Sequence, residues 1–165
     1  MAAIKAASYQ TTVAGSILLP YTLSDIGAGV PPQEGSSTYV SVAFSQGATT
    51  SFTYDTLAGC YTMRSSSALS SAEGGLPTFT NLVILFHDAT RRISKDGVEL
   101  TLDTNLGGTG YYVASGGHQR ILWRRDPVTS RLYITDTDGV PLVLARGKTY
   151  VGMTTFEYRE ALILN

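Results

Sequence analysis

The stretch from Leu102 to Thr149 constrains the fold most tightly, because short strand-prone runs alternate there with turn residues. The run from Gly110 to Ser115 is followed by the two-residue reversal Gly116-Gly117 and by a second run from His118 to Arg124. Further turn residues interrupt the chain twice more before Thr149. This spacing predicts hairpin after hairpin, and we expect the remaining segments to pack onto them.

The composition agrees with a chain built from strands. Its 165 residues include 17 Gly and 10 Tyr, and only 15% of them are charged, which is too few for helices lined with Glu–Lys pairs. The length suits one domain, or one domain with an arm. We therefore predict a mainly β fold, or an α+β fold with a minor helix, in which an antiparallel meander of hairpins forms a small barrel or sandwich.

Two segments outside the hairpin stretch have clear strand patterns. Residues 39–44 alternate, so that their three large apolar side chains lie on one face. Residues 79–86 (FTNLVILF) form the most apolar run and predict a central strand covered on both faces. For residues 156–165 an extra strand and a tail both remain open.

The N-terminal part has a different character. Ala2 to Tyr9 has a helix-forming composition but spans only about two turns, which predicts a short helical remnant. Gly27 to Ser37 contains three Gly, two Pro and two Ser, as is typical of a linker. We predict an arm or linker over residues 1–37, following a missing preceding domain, and an antiparallel β domain over residues 38–165.

Several functional classes are disfavoured by charge and by missing motifs. A net charge of −1 argues against a surface that follows nucleic-acid phosphates, so we expect no nucleic-acid partner. The single cysteine, Cys60, excludes an intrachain disulfide and a cysteine-built metal site. The Gly-rich residues 107–110 lack the third Gly of a dinucleotide loop, where Val113 stands, and precede a predicted strand. We predict no cofactor and no metal.

Four titratable residues are the candidates for catalysis. They are His87, Asp88, Asp103 and His118. A Ser-His-Asp set is defined by its geometry and not by its spacing, so the sequence leaves their convergence open. The chain has no Gly-x-Ser-x-Gly nucleophile elbow, and we assign no catalytic residue.

Aromatic and basic residues concentrate in the hairpin stretch. The predicted ligand- or partner-binding residues are Tyr111, Tyr112, His118, Arg120, Trp123 and Arg124. Strand alternation puts His118, Arg120 and Leu122 on one face, and Gln119, Ile121 and Trp123 on the other. One interpretation is a surface for an anionic polymer, a sugar or a protein. The other is that Ile121 and Trp123 face the core while the arginine stems cover its rim.

An ordered set of residues from about Tyr39 to Met153 resembles the C-terminal domain of the YerB-like family of predicted bacterial lipoproteins, whose function is unknown. The matching residues are Tyr54-Asp55, Gly59, Tyr61, Arg64, Asn81, Val83, Leu85, Leu102-Asp103, Gly108, Gly110-Tyr111, Gly117, Trp123, Gly139, Pro141-Leu142 and 147–151. The resemblance implies a parent protein with a signal sequence, a lipid-modified cysteine and a larger N-terminal domain. It also implies a place on the extracytoplasmic face of the bacterial membrane or in the cell envelope, and it transfers no catalytic residue.

Two functional hypotheses follow. In the first, the chain is a non-catalytic binding or scaffolding domain that contacts its own missing N-terminal domain, an envelope protein or a wall polymer. In the second, it is the accessory half of an envelope-polymer hydrolase or transferase whose active site lies mostly in the missing domain. In both, a lipid anchor absent from this chain supplies the membrane contact.

Two further possibilities concern assembly. Residues 2–26 could pair with a second copy through an exposed strand edge and give a homodimer. A structural protein of a filament or virus is a third functional class, suggested only by the Ser-, Thr-, Gly- and Tyr-rich composition.

Overall fold

A computed structural model describes residues 22–23, 31–66, 74–95, 97–102, 107–129 and 131–165. The predicted helix at Ala2 to Tyr9, most of the predicted arm and the candidate catalytic residue Asp103 lie outside these residues. The division at residues 37 and 38 therefore stays a prediction.

The described residues form short strands and one 3-10 helix. The strands are β1 (Thr22–Leu23), β2 (Gly35–Ser36), β3 (Tyr39–Ser45), β4 (Ala48–Asp55), β5 (Cys60–Ser65), β6 (Thr78–Phe79), β7 (Asn81–His87), β8 (Ala89–Ser94), β9 (Gly97–Leu102), β10 (Gly108–Ala114), β11 (Gly117–Arg125), β12 (Leu132–Thr135), β13 (Val143–Leu144), β14 (Thr149–Thr155) and β15 (Ile163–Leu164). The 3-10 helix spans Phe156–Ala161. No helix in the part of the chain that the structure describes is long and apolar enough to cross a membrane.

Two main sheets contain most of these strands. The first sheet has the order β12-β11-β10-β7-β14, with β2 beside β11, and the second has the order β15-β3-β4-β5-β6. A hairpin of β8 and β9 and a short parallel pair of β1 and β13 complete the described strands. The two main sheets share a core and do not close into a barrel, which confirms the prediction of a mainly β, sandwich-like fold.

The first sheet is a meander only in part. Strands β10, β11 and β12 follow one another as antiparallel hairpins. Strand β14, in contrast, pairs in parallel with β7, from Thr149 opposite Asn81 to Thr155 opposite His87. A parallel pair needs a long crossover instead of a tight turn, and short-range turn signals do not reveal it.

The reversal between β10 and β11 lies at Ser115-Gly116, one residue earlier than the predicted Gly116-Gly117. Ala114 pairs with Gly117, and the backbone φ angles of Ser115 and Gly116 are 51° and 77°. Two successive positive φ angles define a type I′ hairpin turn. The shift leaves each side chain of β11 on its predicted face, because it moves every cross-strand partner by two residues.

Two apolar clusters cover the two faces of the first sheet. The first lies between the sheets and includes Val40, Val42 and Phe52 of the second sheet. The second lies on the opposite face, beneath the segment that contains Leu142 and Leu144. All seven residues of β7 are buried. The prediction of an alternating strand at residues 39–44 is confirmed. The predicted doubly covered central strand is also present, but it spans residues 81–87, because Phe79 belongs to β6, which pairs with β5 in the second sheet.

The question left open at residues 156–165 is resolved by two short elements. The 3-10 helix follows directly on β14, and β15 then pairs with β3. Beyond β15, the backbone N–H of Tyr39 donates to Asn165 O at 2.7 Å and Asn165 N–H donates to Tyr39 O at 2.9 Å. This segment therefore lies along the edge of the second sheet, next to the uncovered part of the first.

Candidate functional site

One face of β11 and β12 lies outside the sandwich. Arg120 and Arg124 are exposed and Leu122 between them is 41% exposed, whereas Ile121 and Trp123 on the opposite face are buried. Tyr133 of β12 is the cross-strand partner of Arg124 and lies on the same side. We call this surface of Arg120, Leu122, Arg124 and Tyr133 the open face.

Weak contacts hold the two arginines of the open face. The guanidinium carbon of Arg124 lies 4.6 Å from the centre of the Tyr133 ring, a cation–π arrangement. Nε of Arg120 donates to Oε2 of Glu34 over 3.4 Å. Both contacts lie in solvent, where such pairs are weak, and a guanidinium has further N–H donors to offer. The arginines are thus positioned but remain available to a partner.

Residues 34–37 are hydrogen-bonded to the edge of β11. Glu34 N–H donates to His118 O at 3.0 Å, and Ser37 N–H donates to Gly116 O at 2.7 Å. The Ser37 hydroxyl donates to Ser36 O at 2.8 Å, so its oxygen is left to accept from Nδ1 of His118, 2.7 Å away. Ser37 is fully buried, which keeps this Ser–His pair from acting as an accessible nucleophile. The pair fixes the imidazole ring.

A groove of about 910 Å³ opens beside His118, between the first sheet and the 3-10 helix. Its lining residues combine rings, leucines and charged groups. They are Tyr111, His118, Phe156, Glu157, Arg159, Glu160, Leu162 and Leu164. We call this site the groove.

The aromatic lining of the groove is anchored on the buried Phe86. The Phe156 ring stacks on it at 6.3 Å, and the Tyr111 ring meets it edge-on at 6.4 Å. The His118 ring in turn makes an edge contact with Tyr111 at 5.9 Å. Because the core fixes Phe86, these three rings form a preorganised floor.

The charged lining comes from the 3-10 helix. In such a helix residues three apart lie in one row, so Glu157 and Glu160 share a row and Phe156 and Arg159 share another. The charged members Glu157, Arg159 and Glu160 are all exposed. Sequence reasoning missed these residues, although the run FEYRE combines aromatic and charged side chains in a way that could have pointed to them.

The six predicted binding residues separate into three environments. Tyr111 and His118 line the groove, and Arg120 and Arg124 lie on the open face. Tyr112 and Trp123, only 1% and 3% exposed, lie in the second apolar cluster. The interpretation that Trp123 faces the core is confirmed, and neither buried side chain presents a surface to a ligand.

Hydrogen bonds explain how these two polar-tipped rings are accommodated. The Tyr112 hydroxyl donates to Asn81 Oδ1 at 2.8 Å, and Trp123 Nε1–H donates to Phe86 O at 2.9 Å. Burial raises the pKa of the Tyr112 phenol, partly offset by its backbone contact with Ala145. Both rings thus serve the fold.

The described candidates for catalysis do not come together. His87 ends β7 and Asp88 follows it, whereas His118 lies beside Val113, which pairs with Leu82 at the other end of that strand. The separation along the sheet is about 17 Å, from five residues at about 3.3 Å each. His87 is buried, with Nδ1 2.7 Å from Asp88 O. Within the described ranges no cluster of three His, Cys, Asp or Glu residues could hold a metal.

The two sheets around a shared core define a sandwich-like β domain with one partly uncovered sheet. Residues 40–151 match the family described as the protein of unknown function (DUF3048) C-terminal domain, and the chain belongs to this family. The fold is similar to that of the YerB protein from Bacillus subtilis, with a TM-score of 0.64 and 22% sequence identity. These findings confirm the resemblance to the YerB-like C-terminal domain.

The structural match covers 82% of this chain but 46% of the YerB chain. This chain therefore corresponds to about half the length of YerB. No curated protein matches the sequence.

Proposed function

We propose that this chain is a non-catalytic binding or scaffolding domain of an envelope-anchored bacterial protein, and that the open face docks a protein partner. The observation that carries the proposal is the exposure of Arg120, Leu122 and Arg124 on a sheet whose opposite face is packed core. The assignment to the envelope is supported only by the resemblance to predicted lipoproteins.

The chemistry of the open face suits a protein. Interfaces are enriched in Arg and Tyr, and they place apolar groups at the centre with polar groups at the rim. Here Leu122, 41% exposed, lies between two arginines, with Tyr133 beside Arg124. One edge of β11 pairs with β10, and the other edge pairs with β2 at its start and with β12 from Leu122 onward, so the sheet supports these side chains.

The preceding domain of a longer family member is one form that this partner could take. The YerB chain is more than twice as long as the part that this chain matches. In this chain, residues 34–37 reach the sheet at the edge of β11, where Glu34 contacts Arg120. The segment that leads into the described β domain therefore runs beside the open face.

A binding comparison tests the proposal. The immobilised chain is exposed separately to membrane-extract proteins and to purified cell-wall polymer, beside the double variant Arg120→Ala/Arg124→Ala. We expect saturable retention of a protein that falls at least tenfold in the double variant. Arg64→Ala, which removes an exposed arginine from the outer face of the second sheet, should bind like the wild type.

Two outcomes would contradict the proposal. One is equal protein retention by the wild type and the double variant, which would exclude the open face. The other is arginine-dependent retention of the wall polymer alone, which would make the open face a polymer-binding surface.

A further inference from the structure

We infer that the outer edge of β14 pairs antiparallel with the same strand of a second copy of this chain. The two copies then form one continuous sheet across a two-fold axis at Val151. The inference goes beyond the proposed function, because β14 lies at one end of the first sheet, whereas β11 and β12, which carry the open face, lie at the other end.

Strand β14 is the longest strand at an edge of the two main sheets. It has seven residues, whereas β2, β6, β12 and β15 at the other edges have two to four. The edge at β12 is also partly covered, because Leu142 N–H donates to Ile134 O at 3.0 Å and Pro141 forms a bridge with Thr135. Short strands and prolines at an edge hinder pairing with other chains.

The outer edge of β14 presents backbone groups that have no strand beside them. Asn81 N–H of β7 donates to Lys148 O at 3.2 Å, so the even-numbered residues of β14 direct their N–H and C=O groups to β7. The groups of Thr149, Val151 and Met153 point the other way. Among the described residues, none is hydrogen-bonded to the backbone of these three.

The sequence of β14 favours the addition of a strand. The run TYVGMTT contains no charged residue and no Pro, and its pairing with β7 continues from residue 149 to residue 155 without a bulge. Charges, prolines and bulges are the usual features that block an edge, so β14 has none of these protections. Val151, a β-branched residue on this edge, is 38% exposed, and an added strand would cover it.

A second copy satisfies this edge because the strand is its own complement. A two-fold axis at Val151 pairs this residue with itself, and it pairs Thr149 with Met153 of the second copy. In such antiparallel pairs the two residues exchange both of their N–H···O bonds, so the outward groups of all three residues are satisfied. The two valines lie directly opposite each other, an apolar contact of the kind that an isologous dimer requires.

Sedimentation equilibrium between about 10 µM and 1 mM tests the inference, because a contact of one strand per copy is small and should give a weak dimer. We expect a reversible equilibrium between monomer and dimer in the wild type. Val151→Lys should lower the association constant at least tenfold, since it places two like charges directly opposite each other.

A charge rescue separates this effect from a loss of folding. Val151→Glu alone should also lower the association constant at least tenfold, whereas an equimolar mixture of Val151→Lys and Val151→Glu should dimerise, because opposite charges then face each other. Ile163→Lys is the matched control. It introduces the same charge on β15 at the edge of the second sheet, where Ile163 is 44% exposed, and should dimerise like the wild type.

Amide hydrogen exchange identifies the strand edge that pairs. The N–H groups of Val151 and Met153 should gain protection as the protein concentration rises, whereas those of Tyr150 and Gly152, which point to β7, should be protected at every concentration.

Four results would overturn the inference. They are a monomer at every concentration, full association in Val151→Lys, no dimer in the mixture of the two charged variants, and protection of Val151 and Met153 that does not depend on concentration. The last result would mean that another segment of the same chain covers the edge.

Discussion

The side-chain amide of Asn81 pairs with the backbone of Ala145 as one strand pairs with another. Asn81 Nδ2 donates to Ala145 O at 2.9 Å, and Ala145 N–H donates to Asn81 Oδ1 at 3.1 Å. Both residues are buried, and the Tyr112 hydroxyl donates to the same Oδ1. Asn81 thereby fixes the segment that covers the second apolar cluster.

Removal of the Asn81 side-chain amide should lower the stability of the fold. Asn81→Ala removes the buried partner of the Ala145 carbonyl and of the Tyr112 hydroxyl, and it leaves Ala145 N–H only its 3.4 Å contact with the Tyr112 oxygen, so we expect a loss of about 3 kcal/mol in the free energy of unfolding. Tyr112→Phe removes a single hydroxyl and should cost about 1 kcal/mol. Urea denaturation measures both. A similar small effect for both variants would mean that water replaces the amide.

Alkaline pH should unfold the protein through its buried tyrosines. Burial raises the pKa of the Tyr61 phenol above its usual value, partly offset by the hydrogen bond from Gly116, and burial likewise raises the pKa of Tyr112. Above about pH 10 the unfolded chain loses these protons while the folded chain keeps them. Stability is therefore fully present below about pH 10 and falls above it, by about 1.4 kcal/mol per pH unit for each tyrosine.

Denaturation curves between pH 8 and 12, read together with tyrosinate absorbance, measure this effect. The buried phenols should ionise only as the chain unfolds. If all tyrosines ionise near their ordinary pKa while the fold persists, the explanation is wrong.

A substitution at Ser115 should stabilise the turn between β10 and β11. Ser115 has a φ of 51°, which is strained for a residue with a side chain, and Asn tolerates this region better. Ser115→Asn should raise the free energy of unfolding by about 0.5 kcal/mol, because Asn-Gly favours type I′ turns. Gly116→Ala should lower it by about 1–2 kcal/mol, since φ is 77° and a new Cβ would lie 3.2 Å from the Tyr54 ring. In thermal denaturation the melting temperature should rise for Ser115→Asn and fall for Gly116→Ala.

The ion pair of Arg120 with Glu34 should contribute little to stability. The two side chains are 66% and 39% exposed, so solvent screens their attraction. Arg120→Ala should change the free energy of unfolding by less than about 1 kcal/mol in urea denaturation. A larger loss would show that the pair supports residues 34–37, and the binding test would then need Arg124→Ala alone.

The parts of the fold that follow from local patterns were predictable. Residues 79–86 contain the unbroken apolar stretch 82–86, which indicates a doubly covered strand, and residues 39–44 indicate a half-buried strand through alternation. The parallel pairing of β14 with β7 was not predictable from the sequence, because it joins segments 68 residues apart and no turn signal spans them.

The positions of the candidate site residues were likewise predictable only where local strand alternation determines them. Alternation along β11 separates Arg120 from Trp123, and the structure bears this out. Alternation also puts the consecutive residues Tyr111 and Tyr112 on opposite faces of β10, but it does not tell which of the two faces is covered, so it does not reveal that Tyr112 is the buried one. The groove needs the 3-10 helix beside β10 and β11, and only the tertiary structure brings residues 156–164 there.

The position of β14 has a consequence for synthesis on the ribosome. Until residues 149–155 have emerged, β7 has a neighbour only on the β10 side, and one edge of a predominantly apolar strand is unpaired. Strand edges of this kind are prone to pair with other chains, and pairing between distant segments is slow. A nascent chain stalled before residue 149 should therefore need a chaperone, whereas one released after residue 155 can close its own sheet.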